Sequence, residues 1–228
     1  MDKFTHVHPA DYFMADIPKL VGQNGSSYYS VNGVRVPRIT QVLSSYKADG
    51  LQQWRKRVGN DVADLKCQIG IKRGNEVHQI IQSYLENDCT CKYSDMILAT
   101  GMFEAAKPAL GRISRIRGTE LPLYNKSFEI AGTADCIAEF DGVLSIIDYK
   151  TGERPKKIEW CERYFLQETF YSLTWEEMTH SPVEQLVTIV ISETGEVQVI
   201  KEQRDNWVET LEELVSKFHQ QKHMGVRK

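Results

Sequence analysis

Apolar positions in the first half of the chain recur at helical spacing, and from about residue 119 they begin to alternate with polar ones as strands require. Residues 73–86 carry the clearest helical signal: Val77, Ile80, Ile81, Tyr84 and Leu85 fall at i, i+3, i+4, i+7 and i+8 and make one apolar face. Further helices are expected over 36–43, capped by Thr40, over 51–67 and over 94–115. Period-two patterning then predicts a strand through 121–124 and 126–130, broken near Asn125. Residues 133–140 and 143–149 flank Asp141-Gly142, a two-residue connection that favours a type I′ hairpin. A long helix over 159–179 follows, then strands at 183–192 and 197–201 around Thr194-Gly195, and a closing helix over 205–222. Residues 1–35 show little periodicity and read as an extended or loosely ordered arm. The expected fold is α/β (α+β): a central mixed sheet flanked by helices. Residues 36–228 would form a single domain, with a helical part at 36–118 and a core at 119–228.

The hairpin concentrates charge. If Phe140 faces Val143, each outward step keeps the pairing and Asp135 faces Asp148. Directly opposed residues have Cβ atoms about 4.5–5.5 Å apart, and like charges there repel. Asp148 and Lys150 are two apart on one strand and project from the same face, so Asp135, Asp148 and Lys150 form one group. Opposed carboxylates seat a hard divalent cation, and Mg2+ suits because it takes one or two carboxylates and keeps room for water and phosphate. The plain alternative is a surface ion pair of Asp148 with Lys150. Ala134, Cys136, Ala138 and Phe140 would give the same strand an apolar opposite face.

The totals narrow the setting. A chain of 228 residues with 41% hydrophobic and 26% charged residues supports one well-buried globular domain. No apolar run approaches the roughly 18–20 residues of a spanning helix. The first twenty residues resemble neither a secretory signal nor a transit peptide, so a cytoplasmic protein of bacterial or viral origin is expected. Five cysteines, an odd count, are expected to be reduced thiols. Cys89 and Cys91 have no second pair at zinc-site spacing. The net charge of −3 means that nucleic acid would have to be held by local basic patches. Candidates are Arg55, Lys56 and Arg57; Arg112, Arg115 and Arg117; and above all Arg154, Lys156 and Lys157, just beyond the charged hairpin.

Four segments in order carry a resemblance: Arg73-Gly74-Asn75-Glu76-Val77-His78, Gly132-Thr133-Ala134-Asp135, Asp148-Tyr149-Lys150, and Gln167-Glu168-Thr169-Phe170-Tyr171. Together they resemble the motifs of the RecB-type branch of the PD-(D/E)XK nuclease superfamily, most closely the mitochondrial genome-maintenance exonucleases and their phage and bacterial relatives. The resemblance implies that His78, Asp135, Asp148 and the Tyr149 carbonyl bind metal, and that Lys150 positions or activates the attacking water. Glu120 matches a loosely placed family glutamate, with Glu129 a nearby competitor. Gln167 and Tyr171 would contact DNA or support the site, whereas Trp160, Tyr164 and Trp175 on the same helix face read as packing. The absent side chain at Gly74 would let a strand or the substrate come close to the histidine helix.

The function so implied is a monomeric, Mg2+- or Mn2+-dependent DNA exonuclease that prefers single-stranded ends. A structure-specific or restriction-like endonuclease would use the same residues. A catalytically silent DNA-binding module is the third reading, set against the presence of both carboxylates and the lysine. No iron–sulfur cluster is expected, because no cysteine follows Cys161, and no phosphate-binding motor loop is present.

Overall fold

Five strands line up in the order β4-β5-β6-β7-β8 in the computed structural model, which describes residues 3–7, 19–21, 27–46, 49–88 and 95–225. They are β4 (Ile113–Asn125), β5 (Ile130–Phe140), β6 (Val143–Gly152), β7 (Gln185–Ser192) and β8 (Val197–Gln203). All neighbours run antiparallel except β6 and β7, which are parallel and joined by helix α5 (Glu162–Thr179). This is the mixed sheet that the patterning predicts.

The Asp141-Gly142 hairpin forms as expected. Both residues have positive φ, 53° and 79°, as a type I′ turn requires, and the pairing runs from Phe140 opposite Val143 to Cys136 opposite Ile147. Arg112 and Lys201 both hold the Asp141 carboxylate at 2.6 Å.

Helices cover both faces. Helices α3 (Asn60–Leu85) and α4 (Ile97–Leu110) pack Val77, Ile80, Ile81, Met102 and Leu110 against Cys136, Phe140, Ile147 and Ile189. On the other face, α1 (Ile39–Val42), α5 and α6 (Val208–Gly225) bring Ile39, Phe170, Trp175 and Leu211 against Ile137, Ile146 and Leu186. An apolar face opposite a charged one was expected. In fact both faces of the central strands are buried, as a parallel pair between helices demands. The carboxylates therefore lie inside the molecule rather than on an open surface.

Several local expectations are corrected. The arm over 1–35 is not loose throughout: β2 (Ser27–Val31) and β3 (Val34–Val36) form a hairpin on Asn32-Gly33, both at positive φ, joined by β1 (Lys19–Val21). Phe4 is buried, and residues 5–7 bond to Ile116 of β4. His6 lies 2.9 Å from the Leu85 carbonyl. The helix expected over 51–67 breaks at Gly59 (φ 86°) into α2 (Asp49–Val58) and α3, and α3 continues unbroken to Leu85. The residue before α1 is Arg38, not Thr40, and its N–H donates to the Gln41 side chain at 2.8 Å. Residues 126–129 are a turn, and the irregularity in β4 lies between Ser114 and Gly118 instead of at Asn125. Helix α4 stops at Leu110, so 113–115 already belong to β4. Cys89, Cys91, His8 and the expected helix start at Ser94 lie outside the described residues. No helix among the described residues is long and apolar enough to cross a membrane.

Candidate active site

Asp135 sits on β5, one step beyond the last regular pair with β6, and its Oδ2 accepts the backbone N–H of Tyr149 at 2.9 Å. The side chain thus occupies a ladder position and is fixed by the sheet itself. Asp148 and Lys150 project from β6 toward α5, where they form an ion pair with Asp148 only 1% exposed. Neither Asp148 oxygen accepts a well-formed hydrogen bond. Burial pushes the Asp148 carboxyl up, opposed by Lys150. For Lys150, burial works against the charge but is outweighed by Asp148 and Asp135, which hold the ammonium above the ordinary lysine value.

His78 comes from the opposite layer. It lies one turn past Gly74 on α3, its Nδ1 is 3.6 Å from both Glu120 Oε1 and Asp135 Oδ2, and its Nε2 is 2.8 Å from the Tyr149 carbonyl. A carbonyl only accepts, so Nε2 carries a proton and Nδ1 is the nitrogen turned to the carboxylates. Burial lowers the imidazole pKa, yet Asp135 and Glu120 outweigh it and raise it to about 9. The Tyr149 carbonyl, a metal ligand by the resemblance, accepts the Nε2 hydrogen bond and so orients His78.

Glu120 is brought in by unusual backbone. Its φ is +44°, between Thr119 opposite Cys136 and Leu121 opposite Ala134, so it stands across from Asp135. A left-handed non-glycine residue costs about 1–2 kcal/mol, and such conformations collect at functional sites. Ligand atoms of His78, Glu120 and Asp135 lie within 4.8 Å of one another. The structure gathers Glu120 into this group and leaves Asp148 beside it, tied to Lys150. Glu129, the competitor, lies in the 126–129 turn, at a separate cavity. Two carboxylates and an imidazole suit Mg2+ or Mn2+, with the nitrogen favouring the latter. Asp148 Oδ2 is engaged by Lys150, and Oδ1 has no hydrogen-bond partner.

The remaining motif residues form a chain behind the lysine. Lys150 Nζ lies 3.5 Å from Gln167 Oε1, and Gln167 Nε2 donates to the Tyr171 hydroxyl at 2.9 Å. Gly132 makes this possible: a Cβ there would stand 2.7 Å from the Tyr171 ring and 3.0 Å from Ile39. Gly74 has no such constraint, since its Cβ would meet only Thr151, at an ordinary 3.6 Å. An open cavity of about 530 Å³ carries His78, Glu120, Asp135, Gln167 and Tyr171 on its walls.

Sequence reasoning missed three groups here. Tyr29, from the supposed arm, is buried and bonds Thr133 Oγ1 at 2.6 Å. Its signal was the Asn32-Gly33 turn. Glu168 is fully buried, accepts from Thr188 Oγ1 at 2.5 Å, and is pushed well above the carboxylate range by burial, with Asp148 adding to it. Thr188 is the parallel partner of Asp148. Of the basic groups, Arg55, Arg112 and Arg115 are spent on Asp64, Asp141 and Glu139. Arg154 and Lys157 are exposed, and Lys156 bonds the Tyr164 hydroxyl.

Residues 94–227 match the PD-(D/E)XK nuclease superfamily, a span that includes Glu120, Asp135, Asp148, Lys150, Gln167 and Tyr171. The chain belongs to that superfamily. Mitochondrial genome maintenance exonuclease 1 of Homo sapiens is 28% identical over 144 residues, 59% of this chain and 40% of that one. Its Mus musculus counterpart is 25% identical over 132 residues, 54% of this chain and 39% of that one. This PD-(D/E)XK chain thus spans about 40% of the length of the relatives it matches. A crystal structure of a Eubacterium rectale protein aligns with 64% of this chain and 63% of its own length, at a TM-score of 0.42 and 14% identity, a distant likeness.

Proposed function

We propose that this PD-(D/E)XK chain is a metal-dependent DNA exonuclease that hydrolyses phosphodiester bonds and prefers single-stranded ends. One observation carries the reading: the ion pair of buried Asp148 with half-buried Lys150 lies within electrostatic reach of His78 and Asp135, so a positive side chain stands beside a metal-fit donor set. The exonuclease names of the relatives support the direction of attack from an end.

His78, Glu120 and Asp135 would hold Mg2+ or Mn2+, with the Asp148 carboxylate beside them paired to Lys150. A bound divalent ion supplies charge neutralisation at the phosphate and a water of lowered pKa. Lys150 hydrogen-bonds the attacking water or the phosphate oxygen, where negative charge grows as the water oxygen bonds phosphorus and the bond to the leaving oxygen breaks. Gln167 fixes the position of the Lys150 ammonium, and Tyr171 fixes Gln167. Arg154, Lys156 and Lys157 hold the flanking phosphates.

The test is digestion of end-labelled linear single-stranded DNA beside a closed single-stranded circle, with Mg2+, Mn2+ or chelator, by the wild type and Lys150→Ala. Metal-dependent loss of the linear strand alone, abolished in the variant, is the expected result. Cutting of the circle would replace the exonuclease by an endonuclease. No cutting by the wild type would leave a DNA-binding module.

A further inference from the structure

A second cavity, of about 880 Å³, adjoins the catalytic cleft and shares Thr40 and Gln167 with it. Three aromatic side chains line it: Trp54 from α2, Trp160 from the short turn before α5, and Tyr164 from the first turn of α5. Packing explains Trp175, which is buried, but not Trp160, which is 65% exposed and leaves its ring open to solvent.

The cavity is also basic, in a chain whose net charge is −3. Lys66, Arg73, Lys156 and Arg163 line it against one carboxylate, Glu153. Lys66 is taken up by Glu153 and Arg73 by Glu193, which leaves Lys156 and Arg163 without a carboxylate partner among the described residues. Lysines flank the rings: Lys157 Nζ is 5.6 Å from the Trp160 centroid, and Lys156 Nζ is 4.7 Å from that of Tyr164. Lys150 Nζ lies 5.1 Å from the same Tyr164 ring. The aromatic wall therefore begins where the catalytic lysine ends.

We infer that this cavity is a nucleobase subsite, in which a base of the strand next to the scissile phosphate stacks on Trp160 while Lys156 and Arg163 hold its phosphates. The inference rests on the nuclease reading above and adds to it a reason for single-strand preference. A base stacks on a side chain only when its face is free, and in a duplex both faces and the pairing edge are taken. Every base offers a π-face, so the subsite selects strandedness and not sequence. An acidic peptide would find the cations but make no use of the exposed Trp160 ring.

Binding is measured in chelator, so that nothing is cut, using a short single-stranded oligo-dT and an abasic deoxyribose-phosphate chain of equal length. The proteins are the wild type, Trp160→Ala and Trp160→Phe. The exposed position of Trp160 makes either change compatible with the fold. Trp160→Ala should weaken oligo-dT binding roughly 5- to 150-fold, the range for loss of one stacked base. Trp160→Phe should recover most of it, and neither should alter binding of the abasic chain. Quenching of tryptophan fluorescence by oligo-dT should shrink in Trp160→Ala. Equal oligo-dT binding by wild type and Trp160→Ala, or parallel loss for both ligands, overturns the subsite. If the wild type still digests DNA in metal, the nuclease reading survives that result. A wild type that neither binds nor cuts DNA removes both.

Discussion

Asp135 accepts the Tyr149 N–H at 2.9 Å, so the carboxylate at the centre of the site is also a rung of the β5–β6 ladder. Its charge and its hydrogen bond can be separated by substitution. Asp135→Asn keeps an acceptor for Tyr149 and removes the charge, whereas Asp135→Ala removes both. Both variants should lose cleavage by at least about 10²- to 10³-fold, the scale of losing one preorganised electrostatic contact. Both variants lose the charge that faces His78, and Asp135→Ala should be the less stable of the two by about 1–3 kcal/mol for an unsatisfied buried N–H. Single-turnover cleavage and urea denaturation of each variant read the two effects apart.

The imidazole of His78 makes metal-free stability depend on pH. Its folded pKa of about 9 lies above the ordinary 6.5, because Asp135 and Glu120 outweigh the opposing effect of burial. The stabilising contribution is therefore complete below about pH 6.5 and lost as the pH rises through about 9. In chelator, the melting temperature of the wild type should fall across that window more steeply than that of His78→Gln. Parallel curves would show that the imidazolium contributes nothing.

Gly132 is the seat of Tyr171. Adding a methyl group at 2.7 Å from the Tyr171 ring forces either the tyrosine or α1 to move. Gly132→Ala should cost about 1–3 kcal/mol, as overpacking does. It should also lower cleavage through the Tyr171–Gln167–Lys150 chain. Tyr171→Phe, which keeps the ring but not the hydroxyl, should lower cleavage with little loss of stability, and comparing the two by thermal melting and turnover tests this division.

Burial, with Asp148 adding to it, pushes the Glu168 carboxyl upward, against ionisation. Glu168→Gln preserves an acceptor for Thr188 without a charge, so its stability should lie within about 1 kcal/mol of wild type. Glu168→Ala strands the Thr188 hydroxyl and should cost about 1–3 kcal/mol. Denaturant unfolding of both variants gives the answer, and a strongly destabilised Glu168→Gln would show that the group is an anion.

Much of the fold was legible because its turns announce themselves. Asp141-Gly142 sets a register that carries through to the neighbourhood of Asp135 and Asp148, and the four motif segments do meet. The same rule applied to Asn32-Gly33 reveals the β2–β3 hairpin and, through it, Tyr29. That hairpin escapes notice because only short apolar stretches flank it. Glu120 was harder to place, since its approach to His78 depends on a positive φ within a strand, which no side-chain pattern encodes. The role of the Tyr149 carbonyl was equally hidden, being backbone directed by the packing of α3 on β6. Trp160 was misread as packing because sequence spacing places it on a helix face, whereas the helix begins only at Glu162.

Five elements contribute to the cluster: α3 gives His78, β4 Glu120, β5 Asp135, β6 Asp148 and Lys150, and α5 Gln167 and Tyr171. No pair of neighbouring elements contains it whole. A partly melted chain, however helical, would therefore lack the proposed site, which needs both layers closed over the sheet. If the proposed activity holds, thermal inactivation and global unfolding should share one midpoint.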